Sequence, residues 1–442
     1  MSPPLPPIAA GPGAIHPLLK PLSFEREVTV TSDQVHATAV QGKLPALVPG
    51  TPSKTTLTEV DEVHGVQHVS PAEILLELAQ VSTPTLLPPG MRDLSLRWAW
   101  IHYCWAFDDV PSPPPTKKMR LSSAARKLAQ HRKQVASDDL GVGFGLTLAR
   151  RALEARFAPA ITKAFDAEEI IAANTLAAWG INHAGPLMPD YFIQVSSLAG
   201  GMPWSSIWVL ECKGTQGTGH LDQIRKGVTQ TATITHASTG SPAPAIVSAT
   251  AFSKSRTRVR LVDPPGDRDD PWAGTETVDS DEDAGVRRTN KKQLVDDRLD
   301  VFRHELTQLD LSATLAFAGL YARAAELVPE RLRRETPARD GMVDAQLIPA
   351  GRAGSASGIR AELPLIGGRT IRATCAVDNR VLDAAREGSV RDLQVARGLA
   401  AKELSEREET WLAHRHSLVE VEPPGLLRVA TRTGLILELA VS

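Results

Sequence analysis

The chain has 442 residues, and three observations predict an α/β protein. A stretch from 141 to 178 carries Leu146, Ala149, Leu153 and Phe157 at helical spacing. Ile207-Trp208-Val209-Leu210 is a short, wholly apolar run with two β-branched residues and a tryptophan, which is the composition of a buried strand. A polar-faced helix from His220 to Gln230 then separates this run from two further strand candidates, Ala245 to Phe252 and Thr257 to Val262. Helical and strand periods alternate along one continuous stretch, the pattern of helices layered on a sheet.

Taken in order, residues 1–22 are proline-rich and lack both a basic start and an apolar core. They predict an extended or disordered arm and no signal peptide. Residues 23–138 predict an N-terminal α+β region, with Glu27-Val28-Thr29-Val30-Thr31 alternating like hairpin strands and a brief helix from Pro71 to Val81. Trp98, Trp100, Tyr103, Trp105 and Phe107 crowd together in a chain with only 5% aromatic residues. Such rings stack on unpaired bases or anchor a buried segment, and their amphipathic spacing favours anchoring. The basic stretch Lys117 to Lys133 reads as helix-like, and Lys117, Lys118, Arg126 and Lys127 are its candidates for phosphate-backbone contact. Residues 139–263 contain the strand and helix candidates described above. Residues 264–292 are acidic, with Asp267, Asp269, Asp270, Asp279, Asp281, Glu282 and Asp283, and predict a flexible insertion. A helical segment, 293–338, is expected to split near Leu311. The last region, 339–442, predicts a β-rich domain with strands at Thr370–Thr374 and Leu435–Leu439 and a helix from Val390 to Glu408. It carries no catalytic constellation, and recognition of substrate, trigger or partner is the role expected of it.

Composition excludes several classes. The three cysteines, Cys104, Cys212 and Cys375, lack CxxC spacing. They support neither a disulfide framework nor a cysteine zinc site. No run approaches the roughly 20 apolar residues of a membrane span. A cytoplasmic protein without membrane association is expected. The net charge of −2 is compatible with nucleic-acid binding, because a local positive groove suffices.

The chemistry concentrates at Pro189-Asp190-Tyr191-Phe192 and Ile207-Trp208-Val209-Leu210-Glu211-Cys212-Lys213-Gly214. Strand alternation aims Glu211 and Lys213 to one face and Cys212 to the other. An acid, a second acid and a lysine at the ends of adjacent apolar runs are an odd way to build a core. They suit a cleft that holds a cation and a phosphate. Pro189-Asp190 and Glu211-Cys212-Lys213 resemble the motif of the PD-(D/E)XK nuclease superfamily, and the resemblance covers residues 140 to 265.

The resemblance implies a restriction-endonuclease-like αβββαβ core with flanking domains, and a Mg²⁺ or Mn²⁺ ion held by Asp190, Glu211 and the Cys212 carbonyl. A further acid from the preceding helix is expected to complete the metal site, with Glu154 favoured over Glu168 and Glu169. Lys213 would lie beside the attacking water as base or electrostatic anchor. Gln223 and Lys226 look like a variant of the Gln-x-x-Tyr motif that lacks the tyrosine. Gln223, Lys226 and Gln230 share a helical face that could contact the nucleic-acid backbone. The run Gly214–Gly219 lacks a Gly-Lys-Ser or Gly-Lys-Thr ending, so it reads as a mobile connection and not a P-loop. His183 and His220 flank the two motifs as further candidate ligands or phosphate contacts. The implied function is a metal-dependent nuclease, with DNA favoured over RNA, in a bacterial defence or restriction setting gated by a protein partner, self-association or a ligand. The alternative is a catalytically idle nuclease-fold binding or assembly subunit of a nucleic-acid-processing complex.

Overall fold

The computed structural model describes residues 16–42, 44, 57–82, 99, 102–108, 118–172, 176–197, 204–217, 220–264, 272–275, 293–332, 344–351, 354–364, 368–388, 390–407, 417–422 and 425–442. The chain is mixed α/β. Its first part supplies strand β1 (Arg26–Thr31), helix α1 (Gln34–Gln41), strand β2 (Gly65–Val69), helix α2 (Pro71–Val81) and the short helix α3 (Ser123–Arg126). Helix α4 (Gln130–Arg156), strand β3 (Ala160–Asp166), helix α5 (Ala167–Ala172) and strands β4 (Ile181–His183), β5 (Tyr191–Ser197) and β6 (Trp204–Thr215) follow. Helix α6 (His220–Thr231) then leads through β7 (Ile234–His236) to β8 (Ala245–Phe252), β9 (Thr257–Val262) and β10 (Ala273–Thr275).

These strands build a sheet in the order β2-β1-β9-β8-β6-β5-β3, with β10 also paired to β6. β6 runs antiparallel to β5 and parallel to β8. The parallel pairing requires a crossover, and α6 lies within it. Alternation along β6 sorts the two faces. Trp208, Leu210 and Cys212 pack with Leu140, Phe144 and Ala149 of α4, whereas Ile207 and Val209 pack with Phe192 and Phe302. Helix α6 covers the β8–β9 side of that second face through Ile224 and Val228, which pack with Val247 and Val262. Helices therefore cover both faces of the sheet, with β6 near its middle.

The remaining chain forms α7 (Gln293–Ala318), α8 (Tyr321–Leu327), strands β11 (Ile348–Ala350), β12 (Ala356–Pro364) and β13 (Thr370–Asp378), helices α9 (Asn379–Glu387) and α10 (Val390–Arg407), and strands β14 (Ser417–Glu422), β15 (Leu426–Thr431) and β16 (Leu435–Val441). The six strands make an antiparallel sheet in the order β11-β12-β13-β16-β15-β14. A single buried cluster contains Leu22, Leu76, Leu148, Leu210, Leu315, Cys375 and Leu437, so side chains from the N-terminal region, the first sheet and the second sheet share one core.

Several expectations are corrected. The helix expected over 141–178 begins earlier, at Gln130, and ends at Arg156. Pro159 cannot donate to a helix, and Ile161 and Thr162 are β-branched, so the chain continues as β3. The boundary expected between 138 and 139 falls inside α4, and β1 joins the first sheet by pairing parallel to β9. The long helix breaks at Gly319, whose φ of +94° suits glycine, and not near Leu311. Of the proline-rich arm, residues 1–15 lie outside the described residues. Leu19 and Leu22, expected in an extended or disordered segment, are buried. Of the acidic insertion, 265–271 and 276–292 lie outside the described residues, whereas Trp272 is buried and the three residues after it pair with β6 as β10. Trp98 and Trp100 also lie outside. Tyr103 and Phe107 are buried as anchors, and Trp105 is exposed.

Candidate active site

The C-terminal half of β6 and the residue that opens β5 bring Asp190, Glu211 and Lys213 together. Asp190 precedes Tyr191, which pairs with Leu210, so Asp190 lies level with Glu211. Two reciprocal hydrogen bonds fix them: the Asp190 N–H donates to Glu211 Oε2 at 3.1 Å, and the Cys212 N–H donates to Asp190 Oδ2 at 2.7 Å. Glu211 Oε1 is ion-paired to the Lys213 ammonium. Glu211 is fully buried, and Lys213 retains a quarter of its side-chain exposure. Glu211 and Lys213 share a face, and Cys212 lies on the other, where its Sγ is 2.5 Å from the position a Cβ on Gly145 would take.

Helix α4 reaches the site because glycines let it lie directly on β6. A Cβ on Gly141 would meet the Gly214 backbone at 2.7 Å, and one on Gly214 would come within 1.6 Å of the Ser137 carbonyl oxygen. No L side chain fits between these backbones. Gly214→Ala is expected to push α4 off the strand end, costing about 2–3 kcal/mol and lowering any activity of the site. Urea unfolding of the variant checks this, and an unchanged midpoint would contradict the close approach.

This approach delivers Asp138, which the sequence reading missed. Burial raises its carboxyl pKa, countered by a Gln134 hydrogen bond and by the nearby Lys213. Asp166, at the end of β3, is a further acid close enough to act on Asp190. Glu154 does not join the site. It is sixteen positions beyond Asp138 on the same helix, roughly 24 Å away at about 1.5 Å per residue. Its Oε1 accepts hydrogen bonds from the Thr162 N–H and hydroxyl at 3.2 and 2.7 Å. Thr162 is level with Val195 and Ser206, five residues before Glu211 on β6. Glu154 therefore braces the far end of the sheet.

The electrostatics follow from crowding acids in a buried place. Burial and then Asp190 push the Glu211 carboxyl up to about 8. Burial also raises Asp190, against the pull of Lys213. For Lys213, burial opposes the charge, but Asp190 and Glu211 outweigh it and hold the ammonium above its ordinary value. In the metal-free protein the folded state keeps a proton on Glu211 that the unfolded chain releases near 4.5. That contribution to stability is complete below this range and is lost as pH rises toward about 8. Urea midpoints of metal-free protein are expected to fall between about pH 5 and about pH 8, and Glu211→Gln to flatten the fall.

The other predicted residues divide. Gln223 lies beside the strand end and donates to the Gly214 carbonyl at 3.4 Å. Lys226 is exposed on α6. Gln230 is turned inward and donates to the Met188 carbonyl at 2.9 Å, holding the loop that leads into Asp190. That bond gives it a positioning role in the loop. The His183 ring meets the Leu187 carbonyl at 2.8 Å in the same loop.

A groove with a volume of about 580 Å³ opens next to the site, reaching from Ser137, beside Asp138, to Thr215, two residues past Lys213. Arg126, Lys133, Lys254, Arg258 and Arg260 line it together with His220, and among the described residues no acid does. Burial and the adjacent Arg258 lower the Arg260 pKa from its ordinary value, as expected where cations crowd. Of the four basic candidates, Arg126 lines the groove. Lys118 and Lys127 are exposed but do not line it, and Lys117 lies outside the described residues. Arg258 and Arg260 were not singled out from the sequence, although Arg258-Val259-Arg260-Leu261 alternates in β9. That alternation puts both guanidinium groups on one face.

The donor set fits a hard divalent ion. Asp190 Oδ1 has no hydrogen-bond partner among the described residues, and Asp138, Asp166 and Lys213 are close enough to act on Asp190, with Glu211 bonded to its N–H. Among the described residues no group of three or more His, Cys, Asp or Glu side chains is arranged to enclose a metal. Mg²⁺ needs only one or two carboxylates when water and phosphate complete its shell. No protein-family model, curated protein or solved structure matches the chain. Among the described residues, no helix is long and apolar enough to cross a membrane.

Proposed function

We propose that the chain is a Mg²⁺- or Mn²⁺-dependent nuclease of the PD-(D/E)XK type, with DNA favoured over RNA. The observation that carries this reading is the paired Asp190 and Glu211 carboxylates with Lys213 beside them, next to a groove lined by cations and, among the described residues, by no acid. The order α4-β3-β5-β6-α6-β8, with β6 and β8 parallel and β3, β5 and β6 antiparallel, supports a restriction-endonuclease-like core, with α5, β4 and β7 as additions to it.

Asp190, Glu211 and the Cys212 carbonyl would hold the ion, with Asp138 at the rim. The ion supplies positive charge to the scissile phosphate. Lys213 orients water against the phosphorus and offsets charge that develops on the phosphate oxygens. The groove cations bind the phosphates on either side and hold the strand in register.

The test is incubation of the full chain with supercoiled, linear and single-stranded DNA and with RNA, in Mg²⁺, Mn²⁺ or EDTA. Metal-dependent cleavage lost in Lys213→Met is expected. Mn²⁺ binding without cleavage of any polymer would favour the catalytically idle alternative. The double variant Arg258→Ser/Arg260→Ser is expected to weaken binding across all sequences and to reduce the salt slope by about 2. An unchanged slope would remove the groove from the substrate path.

A further inference from the structure

A second cavity, about 360 Å³, lies where β3 and β5 meet α7 and α10, and it shares no lining residue with the basic groove. Ile207 of β6 is level with Gln194, which is level with Lys163 in this cavity. Ile207 is four residues before Glu211, about 13 Å along the strand.

The walls combine apolar surface from Pro159, Ile161 and Leu393 with the buried side chains Lys163, Asp310 and Arg397. Lys163 is 9% exposed, and Asp310 and Arg397 are each 4% exposed. The single carboxylate serves both cations. Asp310 Oδ1 is 3.4 Å from the Lys163 ammonium and accepts from Arg397 Nη2 at 3.0 Å. Arg397 Nη2 also donates to the Thr314 hydroxyl at 2.9 Å, while Arg397 Nε has no hydrogen-bond partner among the described residues. Arg150 and Glu77, which also act on Lys163, form a buried ion pair with each other, and two further cations, Lys402 and Arg432, line the cavity. Among the described residues two cations share this one carboxylate, which leaves positive charge in a place of low dielectric, where a second anion is favoured. Burial lowers the Lys163 pKa, Asp310 opposes that shift, and Arg397 and Arg150 add to it.

We infer that this cavity binds a small organic anion, its carboxylate or phosphate held by Lys163 and Arg397 and its apolar body against Pro159, Ile161 and Leu393. The volume is within the range of ordinary ligand pockets, roughly 300–1,000 Å³. The inference stands apart from phosphodiester cleavage, since it uses none of the residues assigned to that reaction.

Gly398 gives a clean control. It lines the cavity, and a Cβ placed on it meets nothing within 4 Å. Gly398→Leu would fill the space and also remove a glycine from the interior of α10. The experiment titrates the full chain with phenyl phosphate, phenylacetate and inorganic phosphate, reading heat of binding and unfolding temperature. Phenyl phosphate or phenylacetate is expected to bind and to raise the unfolding temperature, and which of them binds tighter identifies the head group. Inorganic phosphate alone is expected to act less. Arg397→Met should weaken the favoured ligand by about tenfold or more. Gly398→Leu should abolish binding without lowering the unfolding temperature of the free protein. Absence of binding by all three at millimolar concentration would overturn the inference, as would wild-type affinity in Gly398→Leu.

Discussion

Lys213→Met and Asp190→Asn are each expected to lower metal-dependent cleavage by about 10³-fold or more, but by different routes that a binding measurement separates. In the proposed site Asp190 would contribute one oxygen to the metal, its other oxygen being spent on the Cys212 N–H. Its amide replacement should lose Mn²⁺ affinity together with turnover. Lys213 sits as a counter-ion on Glu211. Removing it frees a carboxylate oxygen, so Lys213→Met should bind Mn²⁺ at least as tightly as the wild type while cleavage collapses. Both variants binding metal normally would remove Asp190 from the metal site. Cleavage surviving in Lys213→Met would remove the lysine from the reaction. Two acids on α4 calibrate the comparison. Asp138→Asn should cost about 10–100-fold as a supporting group, whereas Glu154→Gln, at the other end of the helix, should leave cleavage intact.

The contrast between those two acids marks how far the sequence could be read. Glu211 and Lys213 were legible because an apolar strand has a period of two, and that period alone decides which residues share a face. The acid on the helix was not. Leu146, Ala149 and Leu153 define the buried stripe of α4, but a stripe does not reveal which end of the helix meets the end of the strand that carries Glu211 and Lys213. Gly141, Gly143 and Gly145 held that information. Glycine weakens a helix interior, so a run of alternate glycines marks a close backbone approach, and here the partners are Gly214, Ile74 and Cys212. The acid one turn before that contact is Asp138. The pairing of β1 with β9 was less accessible still, since it joins residues more than two hundred positions apart and no local pattern encodes a partner at that range. The groove was half legible. Arg126 came from a basic run, but Arg258 and Arg260 come to line one groove with Arg126 and Lys133 only in the folded chain.

Arg150→Met should be the costliest substitution away from the site, about 3–5 kcal/mol in urea unfolding, because it takes the guanidinium away from a buried carboxylate. Arg150 and Glu77 have 1% side-chain exposure each and meet at 2.5 Å between α4 and α2. The guanidinium also donates from Nε to the Thr162 hydroxyl at 2.9 Å and from Nη2 to the Thr162 carbonyl at 2.7 Å, tying both helices to β3. Methionine replaces the volume and none of these donors. A charge-free partner should repair most of the damage. The double variant Glu77→Met/Arg150→Met removes the buried carboxylate as well and is expected to recover all but about 1–2 kcal/mol, the share owed to the lost Thr162 hydrogen bonds. Arg323→Ala supplies the scale at the other extreme. Its ion pair with Glu326 is 42% and 53% exposed, and solvent screening should hold its cost under about 0.5 kcal/mol. If Arg150→Met proved no worse than Arg323→Ala, water would have to reach Glu77, and the α2–α4 interface could not be the dry junction that fixes α4, and with it Asp138, against β6.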